Sequence, residues 1–114
     1  MYRQSNHEGD LIDWIQSIND EMSAPAVLND DASLNDVKGI VFNAGGYSHT
    51  SVALRDAVEE CGVPVVEVHI SDIRQREPFR RISLLTDVCA HSIIGEGTDG
   101  YRQAVQWILT QKQP

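Results

Sequence analysis

The sequence predicts an α/β domain built on a parallel sheet with helices on both faces. Two apolar runs, residues 37–43 and 63–68, each stop at a polar side chain, which is typical of strands buried on both faces. A segment with helical spacing, residues 50–61, lies between them, so strand, helix and strand follow as in a parallel βαβ unit. The chain has 114 residues, and residues 1–114 are therefore interpreted as a single domain.

The first predicted element is a helix of about three turns that starts near Asp10. Its apolar side chains form one stripe that we expect to pack on the sheet. Residues 21–36 are rich in Asp, Asn, Ser and Ala and have no sustained period, which predicts an acidic surface loop. The stripe of the helix comprises Leu11, Ile12, Trp14, Ile15 and Ile18.

The loop after the first strand, residues 43–49, contains two glycines and ends one or two residues before the next helix. Glycines let the backbone approach a ligand closely, and Asn43 and His49 are polar groups of the kind that orient a ligand. A plain strand-to-helix turn explains the same glycines, so both interpretations stay open. Thr50 or Ser51 is predicted to cap the helix that follows.

The last part of the chain predicts a third strand, a glycine-rich turn and a final helix. The strand is placed at residues 88–94, the turn at 95–100 and the helix from Tyr101 to about Gln111. The glycine spacing of the turn does not fit a dinucleotide-binding fingerprint. The apolar residues of the final helix that we expect to be buried are Val105, Ile108 and Leu109.

Charge and composition exclude several classes of function. The formal net charge of −8 argues against a nucleic-acid partner, which needs a basic face. No apolar run is long enough for a membrane span and the start of the chain is polar, so a cytoplasmic protein is expected. Cys61 and Cys89 fit no metal or redox spacing, and we interpret them as core thiols with no metal site.

The strongest chemical signal is the pair Glu67 and His69. The two residues are two apart on one predicted strand and therefore point to the same face, where the carboxylate can orient and charge the imidazole. A structural pair without a catalytic role fits the same spacing. Because His69 and Asn43 both end strands of a parallel sheet, we expect their loops to share one edge.

The loop that follows His69 indicates a small anionic ligand. Arg80 has a planar guanidinium suited to a carboxylate or phosphate, and Ser71 adds a hydroxyl and a backbone N–H. Arg74 and Arg76 fit solvated or salt-bridged roles better. Asp56, on a helix face, fits a surface or intersubunit charge better than a catalytic one.

Six segments match one family in order, and they are spread over most of the length of the chain. They resemble the type II 3-dehydroquinate dehydratases. The resemblance implies a three-layer, flavodoxin-like parallel sheet, trimers that assemble into dodecamers, and no metal or cofactor. It also implies dehydration of 3-dehydroquinate to 3-dehydroshikimate in the shikimate or quinate pathway. The segments are Ser5–Gly9, Leu11–Trp14, Asn43–Ala57, Val66–Ser71, Arg76–Arg80 and Gly100–Tyr101.

The resemblance also implies a role for each site residue. His69 matches the family's general acid, which protonates the leaving hydroxyl after an enolate has formed. Ile70 and Ser71 match the turn that binds the substrate carboxylate, and Asp56 matches an acidic residue presented across a trimer interface. The remaining matches are the substrate-contacting Asn43, His49 and Arg80 and the supporting residues Glu67 and Gly45.

Two departures from the family pattern shape the expectations. Family members carry a first, central strand ending in Asn-Gly-Pro-Asn-Leu-Asn and a lid with the catalytic tyrosine, and neither has a match in these residues. Residues 21–36 read as an insertion. We therefore expect a buried sheet edge without a partner and little or no dehydratase activity from the 114 residues alone. The alternative is a non-catalytic relative that keeps the anion pocket for binding or assembly.

Overall fold

The computed structural model describes residues 2–23 and 37–111 of the chain. Three helices and three strands make up its regular structure, and short 3₁₀ turns at Gly45–His49, Ile73–Gln75 and Pro78–Arg80 lie in the connections. In chain order the elements are α1 (Glu8–Ser23), β1 (Ile40–Phe42), α2 (Val52–Glu60), β2 (Val65–His69), β3 (His91–Ile94) and α3 (Asp99–Thr110).

The strands form one parallel sheet in the order β1-β2-β3. Phe42 pairs with Glu67, and Glu67 in turn pairs with Ser92, so the three strands are in register across the sheet. The prediction of an α/β fold on a parallel sheet is confirmed. The carboxyl ends of β1 and β2 lie at the same edge, where the loops from Asn43 and His69 emerge.

Side chains of β2 alternate between two apolar layers. Val65 belongs to the layer that contains Ile15 of α1 and Leu54 of α2, whereas Val66 and Val68 belong to the layer that contains residues of α3. Successive residues of a strand point to opposite faces, so α1 and α2 cover one face of the sheet and α3 covers the other. The predicted three layers are therefore present in the described residues.

Several element boundaries differ from the sequence prediction, and those of α1 and β3 differ in an informative way. α1 begins at Glu8 and continues to Ser23, so residues 21–23 belong to a helix rather than to the predicted acidic loop. The rest of that predicted loop lies outside the described residues. β3 begins at His91 and not at residue 88, because the amides of Val88 and Cys89 both donate to the Leu85 carbonyl and close a turn there. Ser51 caps α2, as predicted, by accepting a hydrogen bond from the Leu54 amide at 2.9 Å.

The buried face of α3 is narrower than predicted. Ala104 and Ile108 are buried against the sheet, whereas Val105 is 48% exposed and Leu109 is 67% exposed. The prediction that Val105 and Leu109 are buried was wrong. Both side chains line a groove that runs along the outer edge of β1, where the described residues provide no further strand for them to cover.

This groove has a volume of about 1300 Å³ and lies between α1 and α3. Among the described residues, β1 pairs with β2 alone. The Ile40 amide donates to the Pro64 carbonyl at 2.9 Å, and peptide groups alternate in direction along a strand, so the peptide groups of Val41 face the groove. The expected sheet edge without a partner is therefore present in this part of the chain. None of the helices described by the structure has the length and apolar character needed to cross a membrane.

We expect Gly39→Ala to lower the free energy of unfolding by about 1–3 kcal/mol, the usual cost of overpacking a core. A Cβ at this position would lie 2.9 Å from two methyl carbons of Ile108 and 3.0 Å from the Pro64 carbonyl oxygen. That carbonyl is held by the Ile40 amide and cannot retreat without breaking the bond. Gly46→Ala is the matched control, because nothing lies within 4 Å of its Cβ position. Equal urea-unfolding curves for the two variants would contradict this packing argument.

Candidate active site

The loop after β1 is shaped by the Asn43 side chain. Its Oδ1 accepts a hydrogen bond from the Gly45 amide at 3.0 Å, and Gly45 has φ 58°, a left-handed conformation that favours glycine. Its Nδ2 donates to the Tyr101 hydroxyl at 2.8 Å. Asn43 is therefore fixed in one orientation at the carboxyl end of β1. Tyr101 is a neighbour that the sequence did not predict, because 58 residues separate the two.

Glu67 and His69 form a buried pair on the face predicted from their spacing. His69 Nε2 lies 2.7 Å from Glu67 Oε2, and the two side chains are 5% and 1% exposed. Three hydroxyls complete the surroundings of the Glu67 carboxylate. Thr86 Oγ1 and Ser92 Oγ each donate to Oε1 at 2.7 Å, and Ser83 Oγ donates to Oε2.

These contacts make Glu67 a carboxylate at neutral pH. Burial raises the pKa of its carboxyl, but hydrogen bonds from His69, Ser83, Thr86 and Ser92 outweigh burial and lower the pKa to about 2. A carboxylate only accepts hydrogen bonds, so His69 Nε2 is the donor. Within the described part of the chain, His69 Nδ1 has no hydrogen-bond partner. Nδ1 is thus the ring nitrogen left for a ligand.

The ring of His49 lies beside that of His69. The rings of His49 and His69 are stacked with centroids 6.4 Å apart and an interplanar angle of 26°. His49 Nδ1 lies 2.9 Å from the Ile82 carbonyl oxygen, and a carbonyl can only accept, so Nδ1 carries the proton. In the neutral ring, Nε2 of His49 is then a hydrogen-bond acceptor. The structure therefore brings together two of the predicted site residues on one side of the sheet edge.

Arginines of the loop after β2 contact side chains of the same loop. Arg80 Nε lies 2.9 Å from Glu77 Oε2, and its guanidinium stacks over the Phe79 ring at 5.1 Å. Arg76 Nη1 lies 3.5 Å from Ser71 Oγ. Arg76 Nε also lies 3.9 Å from Glu77 Oε2, so both of these arginines lie beside the Glu77 carboxylate.

The other predicted residues occupy more open positions. Ile70 is 43% exposed, and its carbonyl accepts a hydrogen bond from the Gly97 amide at 3.0 Å, which ties the turn after β2 to the loop after β3. Asp56 is exposed on α2 and makes no hydrogen bond or ion pair with the side chains described by the structure. Its predicted place at a trimer interface stays a prediction.

The hydroxyls of Ser83, Thr86 and Ser92 are site residues that the sequence reasoning missed. Ser92 had a signal, because the register of β2 and β3 places it directly opposite Glu67. Ser83 and Thr86 lie in an irregular connection, where no periodic pattern marks them. Nearby, burial and the charges of Glu67 and Asp87 raise the pKa of the Cys89 thiol to about 12, so Cys89 is not a nucleophile at neutral pH.

Comparison with known families gives a consistent result. A family model described as dehydroquinase class II matches residues 1–109. The chain is 46% identical over 112 residues to a 3-dehydroquinate dehydratase of Azorhizobium caulinodans. This match covers 98% of the present chain and 65% of the relative. It is 47% identical over 103 residues to a 3-dehydroquinate dehydratase of Rhodopseudomonas palustris, which covers 90% of this chain and 59% of that relative.

Solved structures agree with the sequence relatives. A type II dehydroquinase from Propionibacterium acnes superposes with a TM-score of 0.78 at 30% identity, covering 96% of this chain and 65% of that one. A type II dehydroquinase from Butyrivibrio crossotus superposes with a TM-score of 0.76 at 40% identity, covering 94% and 65%. The chain therefore spans roughly three-fifths to two-thirds of the length of the proteins it matches, as the 59% and 65% shares show.

Proposed function

This chain belongs to the class II dehydroquinase family, and we propose that it supplies the proton-donating and anion-binding part of a 3-dehydroquinate dehydratase site. The observation that carries the proposal is the buried pair of Glu67 and His69, with a carboxylate on Nε2 and Nδ1 left for a ligand. A buried carboxylate stabilises the positive charge of an imidazolium beside it. The pair is therefore suited to holding a proton at one defined atom.

In the proposed reaction His69 is the general acid. A base removes a proton next to the substrate carbonyl and leaves an enolate. The enolate then expels the hydroxyl at the neighbouring carbon, and the proton on His69 Nδ1 passes to that oxygen as the C–O bond breaks, so that water leaves. Glu67 keeps Nε2 occupied throughout, which restricts the transfer to Nδ1.

Substrate binding is assigned to the loops around this pair. We propose that the turn at Ile70 and Ser71 binds the substrate carboxylate and that Arg80 contributes positive charge. The nearby Nε2 of His49 and the amide of Asn43 are assigned to the substrate's hydroxyls. The support is their position: Asn43 and His69 end neighbouring strands, and the His49 ring is stacked on that of His69.

No base is assigned among the described residues. The hydroxyl of Tyr47 donates to the Asn6 carbonyl at 2.8 Å, and that of Tyr101 accepts from Asn43.

A second candidate function is that of a non-catalytic member that uses the same pocket to bind a small anion. It is considered because the chain spans 65% or less of the Azorhizobium and Rhodopseudomonas relatives. The coding DNA 5′ to Met1 separates the two. An in-frame Asn-Gly-Pro-Asn segment supports the dehydratase, and a stop codon adjoining Met1 supports the binding protein.

Assembly is a further part of the proposal. We propose that the protein forms trimers that associate into a dodecamer, with Asp56 directed at a neighbouring subunit. Its exposed position on α2 agrees with such a contact. Analytical ultracentrifugation measures the state directly, and a monomer at all concentrations would contradict it.

Binding of 3-dehydroquinate tests the pocket without requiring turnover. In a ¹⁵N-labelled chain we expect added substrate to shift the amide signals of the turn after β2 and of the loop 43–49. Arg80→Ala is expected to weaken binding about tenfold, the size of one charge-assisted hydrogen bond. Arg102→Ala is the matched control, because Arg102 is paired with Asp99 on α3. Equal weakening by both variants would contradict the assignment of Arg80.

A further inference from the structure

The carboxylate of Glu67 is surrounded by donors on both oxygens. Oε1 receives the hydroxyls of Thr86 and Ser92, each at 2.7 Å, and Oε2 receives His69 Nε2 and the hydroxyl of Ser83. Four donors match the roughly four lone-pair sites that a carboxylate offers. A protonated carboxyl would turn one oxygen into a donor, so one of the four hydrogen bonds donated to Glu67 would be lost or reversed. The surroundings therefore select the ionised form of Glu67.

The three hydroxyls come from two segments, β3 and the connection that precedes it, and neighbouring contacts fix their directions. Ser92 lies on β3, opposite Glu67 in the strand register. Ser83 also accepts a hydrogen bond from the Leu85 amide at 3.2 Å, so its own proton is directed to Glu67. Thr86 belongs to the same connection as Ser83 and is placed by the turn at Leu85, which is 1% exposed. The carboxylate plane is thus held from two sides of the site.

We propose that Ser83, Thr86 and Ser92 are positioning residues that hold Glu67 ionised and in one orientation, and through it fix His69 with Nδ1 directed at the ligand. The proposal deepens the dehydratase function proposed above and rests on it. None of the three hydroxyls is assigned a contact with substrate. They act through Glu67, and removing any one leaves an acceptor site empty on a carboxylate that is 1% exposed.

Other charged and titratable groups lie near Glu67, and their titration has to be distinguished from that of Glu67. The His49 ring is stacked on the His69 ring. Cys89 lies close enough to Glu67 that the negative charge of Glu67 raises the pKa of the Cys89 thiol. Asp87 also acts on Cys89 and is itself paired with Arg55. Cys89 stays protonated across the acidic range, so its thiol does not contribute a titration there. His49 is controlled by repeating the measurement in a His49→Gln background.

The direct test is the titration of Glu67 in chains carrying ¹³C at the glutamate Cδ. In the parent, the folded-state signal is expected to remain that of a carboxylate to near pH 2. Thr86→Val and Ser92→Ala are each expected to raise the midpoint by about one pH unit or more, because each removes a hydrogen bond to a charged acceptor. Thr86→Ser and Ser92→Thr restore the hydroxyl and are expected to restore the midpoint.

Thr86→Val is the decisive variant, since Thr86 is exposed and valine has nearly its shape, so the fold is retained. An unchanged Glu67 midpoint in folded Thr86→Val and Ser92→Ala would overturn the proposal. Where dehydratase turnover is measurable, both variants are expected to lower kcat several-fold more than they raise KM, and unchanged kcat despite a raised midpoint would also overturn the positioning role. Absence of turnover in the parent bears only on the proposed dehydratase, because the titration does not depend on catalysis.

Discussion

We expect His69→Ala to lower dehydratase turnover by about 10²–10⁴-fold, the usual contribution of a positioned general acid. The imidazole supplies the proton that leaves with the hydroxyl, and no other described side chain is bound to Glu67 through an ionisable nitrogen. The measurement is the ultraviolet appearance of the conjugated product, 3-dehydroshikimate. It uses protein made from the longest reading frame that contains these 114 residues. Substrate binding is expected to change little, because the anion-binding turn is left in place.

His91→Ala is the matched control for this experiment. His91 is an exposed histidine at the start of β3, where its ring stacks on Trp107 with centroids 5.0 Å apart. Its removal is expected to leave kcat within about twofold of the parent, as for most surface substitutions away from a site. Near-normal kcat in a folded His69→Ala variant would show that the acid has been assigned to the wrong residue.

The second large effect concerns acid stability. The folded-state pKa of Glu67 is lowered from 4.5 to about 2, so the stability that this carboxylate contributes is fully present above pH 4.5. As the pH falls from 4.5 to about 2, Glu67 is protonated in the unfolded chain before it is protonated in the folded protein, and this contribution is lost by about pH 2. The shift corresponds to about 3 kcal/mol of unfolding free energy. Urea unfolding of the parent between pH 7 and pH 2 measures the loss.

In Glu67→Gln the pH dependence over this interval is expected to be clearly smaller, since the titrating group has been removed. Asp99→Asn provides a contrast: the pKa of Asp99 is also lowered to about 2, mainly by the Arg102 side chain, but the pair is on the surface. Its effect is expected to be small and to shrink further in salt. A parent whose stability is the same at pH 5 and pH 2.5 would contradict the assignment to Glu67.

The sequence predicted the parts of the molecule that follow from repeating patterns. Apolar runs located β1 and β2, and the cap of α2 was predicted as Thr50 or Ser51, of which Ser51 is the cap, because the start of a helix has a local signature. The pairing of Glu67 with His69 followed from the two-residue period of a strand. Such features depend on neighbours in the chain, and a single sequence contains that information.

Features that depend on distant segments were not predicted. The hydroxyls of Ser83 and Thr86 approach Glu67 only after the connection between β2 and β3 has folded back. The burial of Val105 and Leu109 was overestimated because an apolar stripe on a helix does not tell how far the sheet beneath it extends. The contacts of Arg76 with Ser71 and of Arg80 with Glu77 were likewise not predicted, because they depend on how the loop after β2 packs.

The groove beside β1 adjoins the candidate active site, since Asn43 is among the residues that line it. β1 is the strand whose outer edge faces the groove, and it is also the strand that ends at Asn43, whose side chain fixes the loop 43–49. A polypeptide segment that hydrogen-bonds to this edge and shifts β1 would move Asn43 with it, which would place the segment in thermodynamic linkage with the site. By reciprocity, a ligand that binds Asn43 more tightly in the shifted position would tighten the segment's association with β1 by the same free energy.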